Sequence, residues 1–402
     1  FFCKMKALHF FVIVFLLIFS VYGCGPFSSC FLDGVVNTYR TGSKSIDAGT
    51  RLIYTDGSLR GESDNLVYGS RVFIIQMQDA TIDYSNTTNY GRVVDANDSG
   101  VSDILKSGNA GMYEYALVQE YFSNGTIELQ NPLQNSYYFE PESTKHGRKS
   151  FQIVTVKMCT QAYLIGNLTC ESWNGENGGI LLLDVGQGLD FQGNAIDCSG
   201  KGFRGAVALE FRDSSQPILY DYVSDYDFIQ STDRVLSGYD GNELKGESIA
   251  GTPLITIDGN GIQYNASSQG YPGGDFARGP PANGGGGANE HNSGAGGGSL
   301  GGAGGKGGNS VQGGLVQGIG GYKIDVEWPK RIMMGGGGGA GHINQGDLGS
   351  ISHGAPGGGI VIVRTSIILG DAKIISSGQT GYSAIHDGAG GGGGGGFIAL
   401  LS

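Results

Sequence analysis

The sequence predicts an all-β protein, a β-solenoid or β-sandwich-like body that carries a glycine-rich bundle of polyproline-II type. Three observations support this prediction. Short apolar runs end in corners rich in Gly, Asn and Asp, residues 37–147 lack helical periodicity, and 76 of the 402 residues are glycine. Ordinary proteins contain about 7% glycine. Because fixing glycine costs much backbone entropy, the glycine-rich part must be either disordered or held by unusual packing.

The N-terminus has the pattern of an export signal. Lys4 and Lys6 precede an apolar run at residues 10–19, and small residues follow it. A basic region, an apolar region of this length and a small-residue cleavage site predict a signal peptide at residues 1–23, with Met5 as the start. The run is shorter than a membrane-spanning helix requires. We therefore expect a secreted or cell-surface protein.

The cysteines of the mature chain leave several arrangements open. They are Cys24, Cys30, Cys159, Cys170 and Cys198. Export permits disulfides, and we expect Cys159 to pair with Cys170 across a strand turn, and Cys24 with Cys30. Alternatively, Cys24 ends a sequence that resembles a bacterial lipobox, in which case it would be lipidated and the protein would be an outer-membrane lipoprotein. The spacing of the cysteines matches no zinc site.

Composition and charge exclude one class of partner. The chain is 39% hydrophobic and 10% aromatic, which is enough to bury a core, and its net charge is −12 with a pI near 4.9. Nucleic-acid binding needs clustered Lys and Arg, so no nucleic-acid partner is expected. The acidity fits a soluble surface or extracellular protein.

Residues 24–147 predict an all-β N-terminal cap. Residues 71–77 form a buried apolar run, and further strands are expected at residues 113–118 and 126–129. The intervening Asn-Gly at residues 124–125 predicts a hairpin turn, because this pair tolerates the positive φ that such turns need.

Residues 148–270 predict solenoid coils with a polar insertion. Short strands at close, even spacing are typical of a parallel solenoid. They are expected at residues 151–156, 163–169, 179–185, 189–191 and 195–197. Residues 205–270 are more polar and rich in Tyr and Asp. This composition suits a calcium or carbohydrate site, but we favour a solvated loop with a few packed tyrosines, and no calcium-loop spacing occurs.

An internal repeat supports the solenoid. Residues 178–183 (GGILLL) lead to residues 193–200 (GNAIDCSG), and residues 358–363 (GGIVIV) lead to residues 370–378 (GDAKIISSG). Residues 395–402 restart the pattern and stop, as if the sequence were a fragment. We therefore expect the two copies to be coils of one solenoid.

The segment 271–402 is built from glycine runs and xGG triplets. We expect polyproline-II strands, whose three-residue turn matches the triplets, packed against the solenoid. These excursions would leave at Gly273 and Gly388 and return at Gly358 and Gly395. A flexible linker is the rival interpretation. The glycines expected to form the presented surface are Gly284, Gly285, Gly286, Gly287, Gly335, Gly336, Gly337, Gly338 and Gly339.

Several phrases carry a resemblance to known proteins. They are VNTY at residues 36–39, IQMQDA at 75–80, GMYEY at 111–115, SWNG at 172–175, GFRG at 202–205, KGESIAGTP at 245–253, GYPGGD at 270–275, GPPANGGGG at 279–287 and DGAGG at 387–391. Together they resemble the N-terminal portion of large glycine-rich secreted or surface proteins of bacteria, some labelled as adventurous gliding-motility proteins. The resemblance implies a surface protein and brings no catalytic residue with it.

Candidate chemistry is sparse. His291, His342, His353 and His386 lie near Glu290, Asp347 and Asp387, but without metal-ligand spacing, so we expect loop residues, no metal and no cofactor, with Ca²⁺ unsupported by any motif. Residues 301–306 resemble a phosphate loop but lack the following Ser or Thr. Asp184, Asp190 and Asp197 could form a catalytic row on a solenoid face, although Asp at such corners commonly caps turns.

The sequence therefore favours a non-enzymatic, exported structural or adhesive protein that presents a glycine-rich surface to an extracellular glycan or protein. Contact with a membrane would occur only through a lipid on Cys24. The alternative is a polysaccharide lyase or hydrolase on the same scaffold. A weaker alternative is an ice-binding protein, for which the expected Thr ladder is missing.

Overall fold

A computed structural model describes residues 29–62, 66–94, 108–208, 243–258, 261–264, 270–289, 292–310, 317–326, 328–343, 352–384 and 386–402. These ranges contain β-strands and no helix. The expected signal peptide, Cys24 and most of the Tyr- and Asp-rich insertion (residues 209–242) lie outside them. The strands are β1 (Ser29–Val35), β2 (Thr38–Thr41), β3 (Leu52–Tyr54), β4 (Arg60–Gly61), β5 (Arg71–Gln78), β6 (Tyr113–Tyr121), β7 (Thr126–Leu129), β8 (Ser150–Thr155), β9 (Lys157–Thr169), β10 (Ile180–Asp190), β11 (Ala195–Asp197), β12 (Gly205–Ala206), β13 (Ile255–Asp258), β14 (Gly261–Tyr264), β15 (Ile360–Leu369), β16 (Lys373–Ile375) and β17 (Phe397–Leu401).

The solenoid is a parallel sheet with the order β16-β11-β9-β10-β15-β17, to which β1 adds beside β9. The repeat identified in the sequence sets its register. Ile180 pairs with Ile360 and Ile196 with Ile374, so equivalent residues of the two copies lie side by side. Phe397 then pairs with Ile360, which makes β17 the start of the next coil. The predicted solenoid is confirmed.

One predicted strand is longer in the structure, and one pair of predicted strands is a single strand. The strand expected at residues 163–169 begins at Lys157, and the strands expected at residues 179–185 and 189–191 form one strand, β10. The pairing of β10 shifts register between Val185 and Gly188. Glycine weakens a strand and often marks a bulge. The gap between the two expected strands is therefore a bulge within one strand.

The N-terminal region forms an antiparallel sheet with the order β3-β7-β6-β5-β8-β2-β4. The predicted hairpin turn is present, with Gly125 at a φ of +85°. The expected boundary near residue 147 differs in two ways. The strand β8 belongs to the antiparallel sheet, and β1 belongs to the solenoid, so the chain crosses between the layers twice.

The antiparallel sheet is a second layer rather than a terminal cap. Alternate residues of β5 face opposite sides, as in any strand. Phe73 and Ile75 pack with solenoid residues, whereas Val72 and Ile74 pack in a separate outer cluster. Hydrogen bonds also join the layers, because the Asn37 side chain bonds to both the N–H and the carbonyl of Leu182, at 3.0 and 2.8 Å. The body is therefore sandwich-like.

The expected disulfide between Cys159 and Cys170 is wrong in this structure. Cys159 pairs with Cys30, and Cys170 pairs with Cys198. The physical reason is the length of β9. Cys159 lies near its start and Cys170 directly follows its end, and a strand rises about 3.3 Å per residue, so the eleven residue steps between them span roughly 36 Å. Each cysteine instead meets a cysteine of a neighbouring strand.

Candidate functional site

The glycine-rich part is an ordered lattice of extended segments that we call the glycine lattice. Its segments are residues 201–206, 243–247, 283–289, 293–300, 304–310, 317–322, 335–342, 352–358, 376–384 and 388–396. The predicted departures from the solenoid at Gly273 and Gly388 are too late. Lattice bonds begin at residues 200–202, directly after β11, and again at residues 376–379 after β16, whereas the returns near Gly358 and Gly395 agree with the prediction.

Residues 335–342 show how the lattice is built. Their N–H groups bond in rotation to three neighbours, namely residues 352–358, 293–299 and 244–247, with donor–acceptor distances of 2.8–3.2 Å. The donors to these neighbours, in the same order, are Gly335, Gly338 and Gly341, then Gly336, Gly339 and His342, then Gly337 and Ala340. A three-residue rotation is the polyproline-II period. The predicted bundle type is therefore confirmed.

Close backbone approach explains why these positions are glycine. A Cβ placed on Gly337 would lie 1.8 Å from the carbonyl oxygen of Arg204, and one on Gly336 would lie 1.8 Å from that of Asn283. Both obstacles are backbone atoms that cannot rotate away. At these positions the segments pack through Cα atoms and amides, with no room for a side chain.

The presented surface differs from the expected one. Residues 284–287 and 335–339 are buried, because they are the middle of the lattice. Residues 301–309 form an exposed segment, in which Gly304 and Gly307 turn inward and the residues between them face solvent. Its outward glycines, such as Gly305 and Gly308, have no atom within 4 Å of an added Cβ. The glycine runs at residues 284–287 and 335–339 lie in the interior, and the xGG triplets at residues 300–308 lie at the face.

A groove of about 620 Å³ crosses this exposed face. Residues 294–298 form its floor, residues 305–308 one wall and residues 387–393 the other. Lys306 and Asp387 are charged residues on opposite walls. The remaining lining is almost entirely backbone and small side chains. Such a groove offers amide donors and acceptors to a ligand and few titratable groups.

A buried ion pair joins two lattice segments at a point where they also contact the body. Arg204 Nε donates to Glu247 Oε2 at 2.8 Å, and Thr252 Oγ1 donates to Glu247 Oε1 at 2.6 Å. Burial alone would raise the pKa of Glu247, but the charge and hydrogen bonds of Arg204 outweigh burial and lower it. The carboxylate is therefore charged at neutral pH. The backbone of Glu247 also bonds within the lattice, since Gly337 donates to its carbonyl.

Asp275 is a second buried carboxylate at the lattice edge. It accepts N–H groups from Leu254 and Tyr271 at 2.9 Å and from Gly270 at 3.2 Å. Burial raises its pKa to about 6 although these hydrogen bonds act in the opposite direction. Its charge state therefore changes just below neutral pH.

The two layers of the body enclose a cleft of about 510 Å³. Asp184 lies in it between two arginines. Arg71 Nη1 lies 2.5 Å from Asp184 Oδ2, and Arg364 Nε lies 3.0 Å from Asp184 Oδ1. Tyr115 lines the same cleft and is 44% exposed. Burial raises the pKa of Tyr115 to about 12, so its hydroxyl remains a hydrogen-bond donor at neutral pH.

The three aspartates considered as a catalytic row have structural contacts. Asp184 is held by the two arginines of the cleft. Asp190 accepts the N–H of Gln192 at 3.0 Å, and Asp197 accepts that of Ser199 at 2.8 Å. A side chain that bonds to the backbone two residues later caps a turn. The turn-capping interpretation therefore applies to Asp190 and Asp197.

The described histidines lie in separate surroundings. His342 is buried, and its Nδ1 accepts the N–H of Asn292 at 3.1 Å, so it is a packing residue and not the solvated loop residue we expected. His353 accepts the N–H of Ala208 at 2.9 Å, and burial lowers its pKa. His291, Glu290 and Asp347 lie outside the described residues. Within the described ranges, no group of three or more His, Cys, Asp or Glu is placed to hold a metal ion.

Comparison with known proteins adds little. No family model matches the sequence, and no curated protein matches it. The chain has a similarity to the crystal structure of the tailspike protein gp49 from Pseudomonas phage LKA1, with 14% identity over 42% of this chain and 22% of the tailspike chain. The TM-score of 0.18 is too low for this likeness to carry an argument. No helical segment in the described residues has the length and hydropathy to cross a membrane.

Proposed function

We propose that the protein is an exported structural or adhesive module of the cell surface, which binds an extracellular glycan or protein on the exposed face of the glycine lattice without converting it. One observation carries this proposal. Glycines that would cost the most entropy to order are held in a hydrogen-bonded lattice, and one face of it is open to solvent. A rigid face of this kind is a surface for recognition.

The chemistry of the face favours binding over catalysis. Residues 301–309 and 388–393 present backbone amides that repeat about every 9 Å, the length of three polyproline-II residues. Repeated polar groups suit a repetitive polymer. Acid–base catalysis instead needs positioned groups with matched pKa values. The sequence resemblance to glycine-rich surface proteins supports the same location.

Binding and product release together test the proposal. Purified residues 24–402 would be incubated with insoluble cellulose, chitin and immobilised alginate, and with gelatin as a protein surface. We expect a saturable isotherm on at least one of them and no release of soluble reducing or unsaturated sugars. Release of such products would overturn the non-enzymatic assignment. If none of these surfaces binds the protein saturably, the adhesive role is overturned.

Export and anchoring need a separate measurement. The N-terminal sequence of the protein recovered from the medium or membrane of a bacterial host should begin at Cys24 if residues 1–23 are a signal peptide. Incorporation of a labelled fatty acid that is lost on Cys24→Ser would establish the lipid anchor. A mature chain without label would remove the lipoprotein hypothesis and leave secretion in place.

Action on a polysaccharide is a second candidate, favoured by the cleft between the sheets. The cleft combines an exposed aromatic ring at Tyr115 with the guanidinium of Arg364, whose side chain is 53% exposed. Such groups suit an acidic sugar chain. Tyr115→Ala should weaken binding of soluble alginate at least about tenfold, which corresponds to about 1.4 kcal/mol. Tyr68→Ala is the matched control, because Tyr68 is 71% exposed and outside the cleft.

A further inference from the structure

The floor of the groove has five lattice neighbours. Residues 294–299 donate N–H groups to residues 304–308, 388–394 and 283–287, and they accept N–H groups from residues 335–342 and 317–321. The donations are, in order, Gly294 to Gly308, Gly297 to Gly305, Ala295 to Ala389, Gly298 to Gly392, Gly296 to Gly286 and Ser299 to Asn283. All six distances are 2.8–3.0 Å.

These neighbours form a ring that is closed except at one place. Residues 304–308 bond to residues 317–321, the latter bond to residues 283–287, and these bond to residues 335–342. Residues 335–342 bond in turn to residues 388–394. Among the described residues, no such bond joins residues 388–394 to residues 304–308, and the groove lies between them. The groove is therefore the sixth position around its floor.

Backbone groups along the groove match a sixth segment. The carbonyls of Ala295 and Gly298 accept no backbone N–H from the described residues, and the N–H groups of Ala389 and Gly392 donate to no described backbone oxygen. Both pairs have the three-residue spacing of the lattice. All four residues line the groove. Acceptors on the floor and donors on a wall thus repeat at the interval of a polyproline-II chain.

We propose that the groove binds an extended, glycine-rich polypeptide segment of a partner protein, which adopts the polyproline-II conformation and completes the lattice. Its N–H groups bond to the carbonyls of Ala295 and Gly298, and its carbonyls accept the N–H groups of Ala389 and Gly392. The interior segments show what such a position tolerates. Where two interior lattice segments pack side by side, a Cβ added to one would lie about 2 Å from a carbonyl oxygen of the other, as at Gly296 and Gly298. The bound segment therefore needs glycine at every third residue.

This inference deepens the proposed function, since it rests on the same exposed face and names the partner's chemistry. The probe is a fluorescent nine-residue peptide with the triplet sequence LGGAGGKGG, and the control peptide, LAAAAAKAA, has alanine for every glycine, so it offers no glycine at the third-residue spacing in any register. Fluorescence anisotropy with purified residues 24–402 should show saturable binding of the first peptide. We expect binding of the control peptide to be at least about tenfold weaker.

Variants of the protein locate the binding site. Gly305→Val and Gly308→Val add side chains at exposed groove-wall positions with no atom within 4 Å, so both should fold and block the groove. Gly301→Val is the matched control, because Gly301 is equally open and does not line the groove. Peptide binding should fall at least tenfold in the first two variants and stay unchanged in the third. Circular dichroism and thermal unfolding would establish that all three variants fold.

Three outcomes would overturn the inference: no saturable binding of the triplet peptide, equal binding of both peptides, or unchanged binding in the two groove variants. Each is distinguishable from failure of the proposed function. If the protein still binds a glycan surface while the triplet peptide does not bind, the adhesive role stands and the polypeptide partner is wrong. If the glycan binds and Gly305→Val abolishes that binding, the groove is a glycan site.

Discussion

The solenoid body and the glycine lattice reach similar burial by opposite means. In the body, strands of regular sheets place Leu182, Phe73 and their neighbours in a shared apolar core. In the lattice, residues 335–341 are equally buried but carry almost no side chains, and the packed groups are the amides themselves. One region excludes water by filling space with side chains, and the other by leaving no space for them. We therefore expect added side-chain volume to destabilise the lattice and removed side-chain volume to destabilise the body.

The largest effect is expected from adding a methyl group to the lattice. Gly337→Ala would place Cβ 1.8 Å from the Arg204 carbonyl oxygen. Overpacking commonly costs about 1–3 kcal/mol. Because this obstacle is backbone, we expect a loss above about 4 kcal/mol, in the range of exceptional substitutions. Urea unfolding would measure it. Gly305→Ala, which meets no atom within 4 Å, should change stability by less than about 1 kcal/mol, and equal losses in both variants would contradict the packing argument.

The next effect concerns the ion pair where the two regions meet. Glu247→Gln leaves the buried guanidinium of Arg204 without its charge partner, which should cost about 3–4 kcal/mol. Equilibrium unfolding at pH 7 tests this. The control is Glu176→Gln, because Glu176 pairs with Arg148 at 3.3 Å and is 46% exposed, so its loss should cost under about 1 kcal/mol. A similar small loss at both positions would show that the junction does not depend on charge.

Removing side-chain volume from the body is the counterpart of the lattice substitution. Leu182 is 1% exposed, and Leu182→Ala should destabilise the protein by about 3 kcal/mol through lost transfer energy and a cavity. Ile165→Ala, at a residue that is 58% exposed, should stay within about 0.5 kcal/mol. Chemical denaturation of both variants would provide the comparison. A tolerated Leu182→Ala would mean that the body does not depend on a packed core.

The smallest effect is a pH dependence at Asp275. Its pKa is raised from 3.8 to about 6, so the folded state holds a proton that the unfolded state has released between these values. Stability from this group therefore increases as pH falls, by about 1 kcal/mol between pH 7 and pH 5. Glu247 has a lowered pKa, so its contribution is lost only at more acidic pH. Unfolding free energies at pH 7, 6 and 5 should lose this increment in Asp275→Asn; an unchanged slope would contradict the assignment.

Much of the fold could be predicted because local patterns and a repeat determined it. The GG-I repeat predicted the parallel pairing of β10 with β15, and the triplet period predicted the lattice type. The disulfides could not be predicted, since they depend on which strands become neighbours. Burial was also misjudged at residues 335–339. A glycine carries no side chain from which to tell an inward position from an outward one, so the neighbouring chains decide.

The three-neighbour rotation of residues 335–342 also constrains how such a sequence can change over generations. Inserting one residue would turn every later residue by about 120°, and each N–H would then face a different neighbour. An insertion of three residues would restore the pairing. We therefore expect length differences between related lattice segments to be multiples of three residues, or to fall in the corners, where the rotation starts afresh.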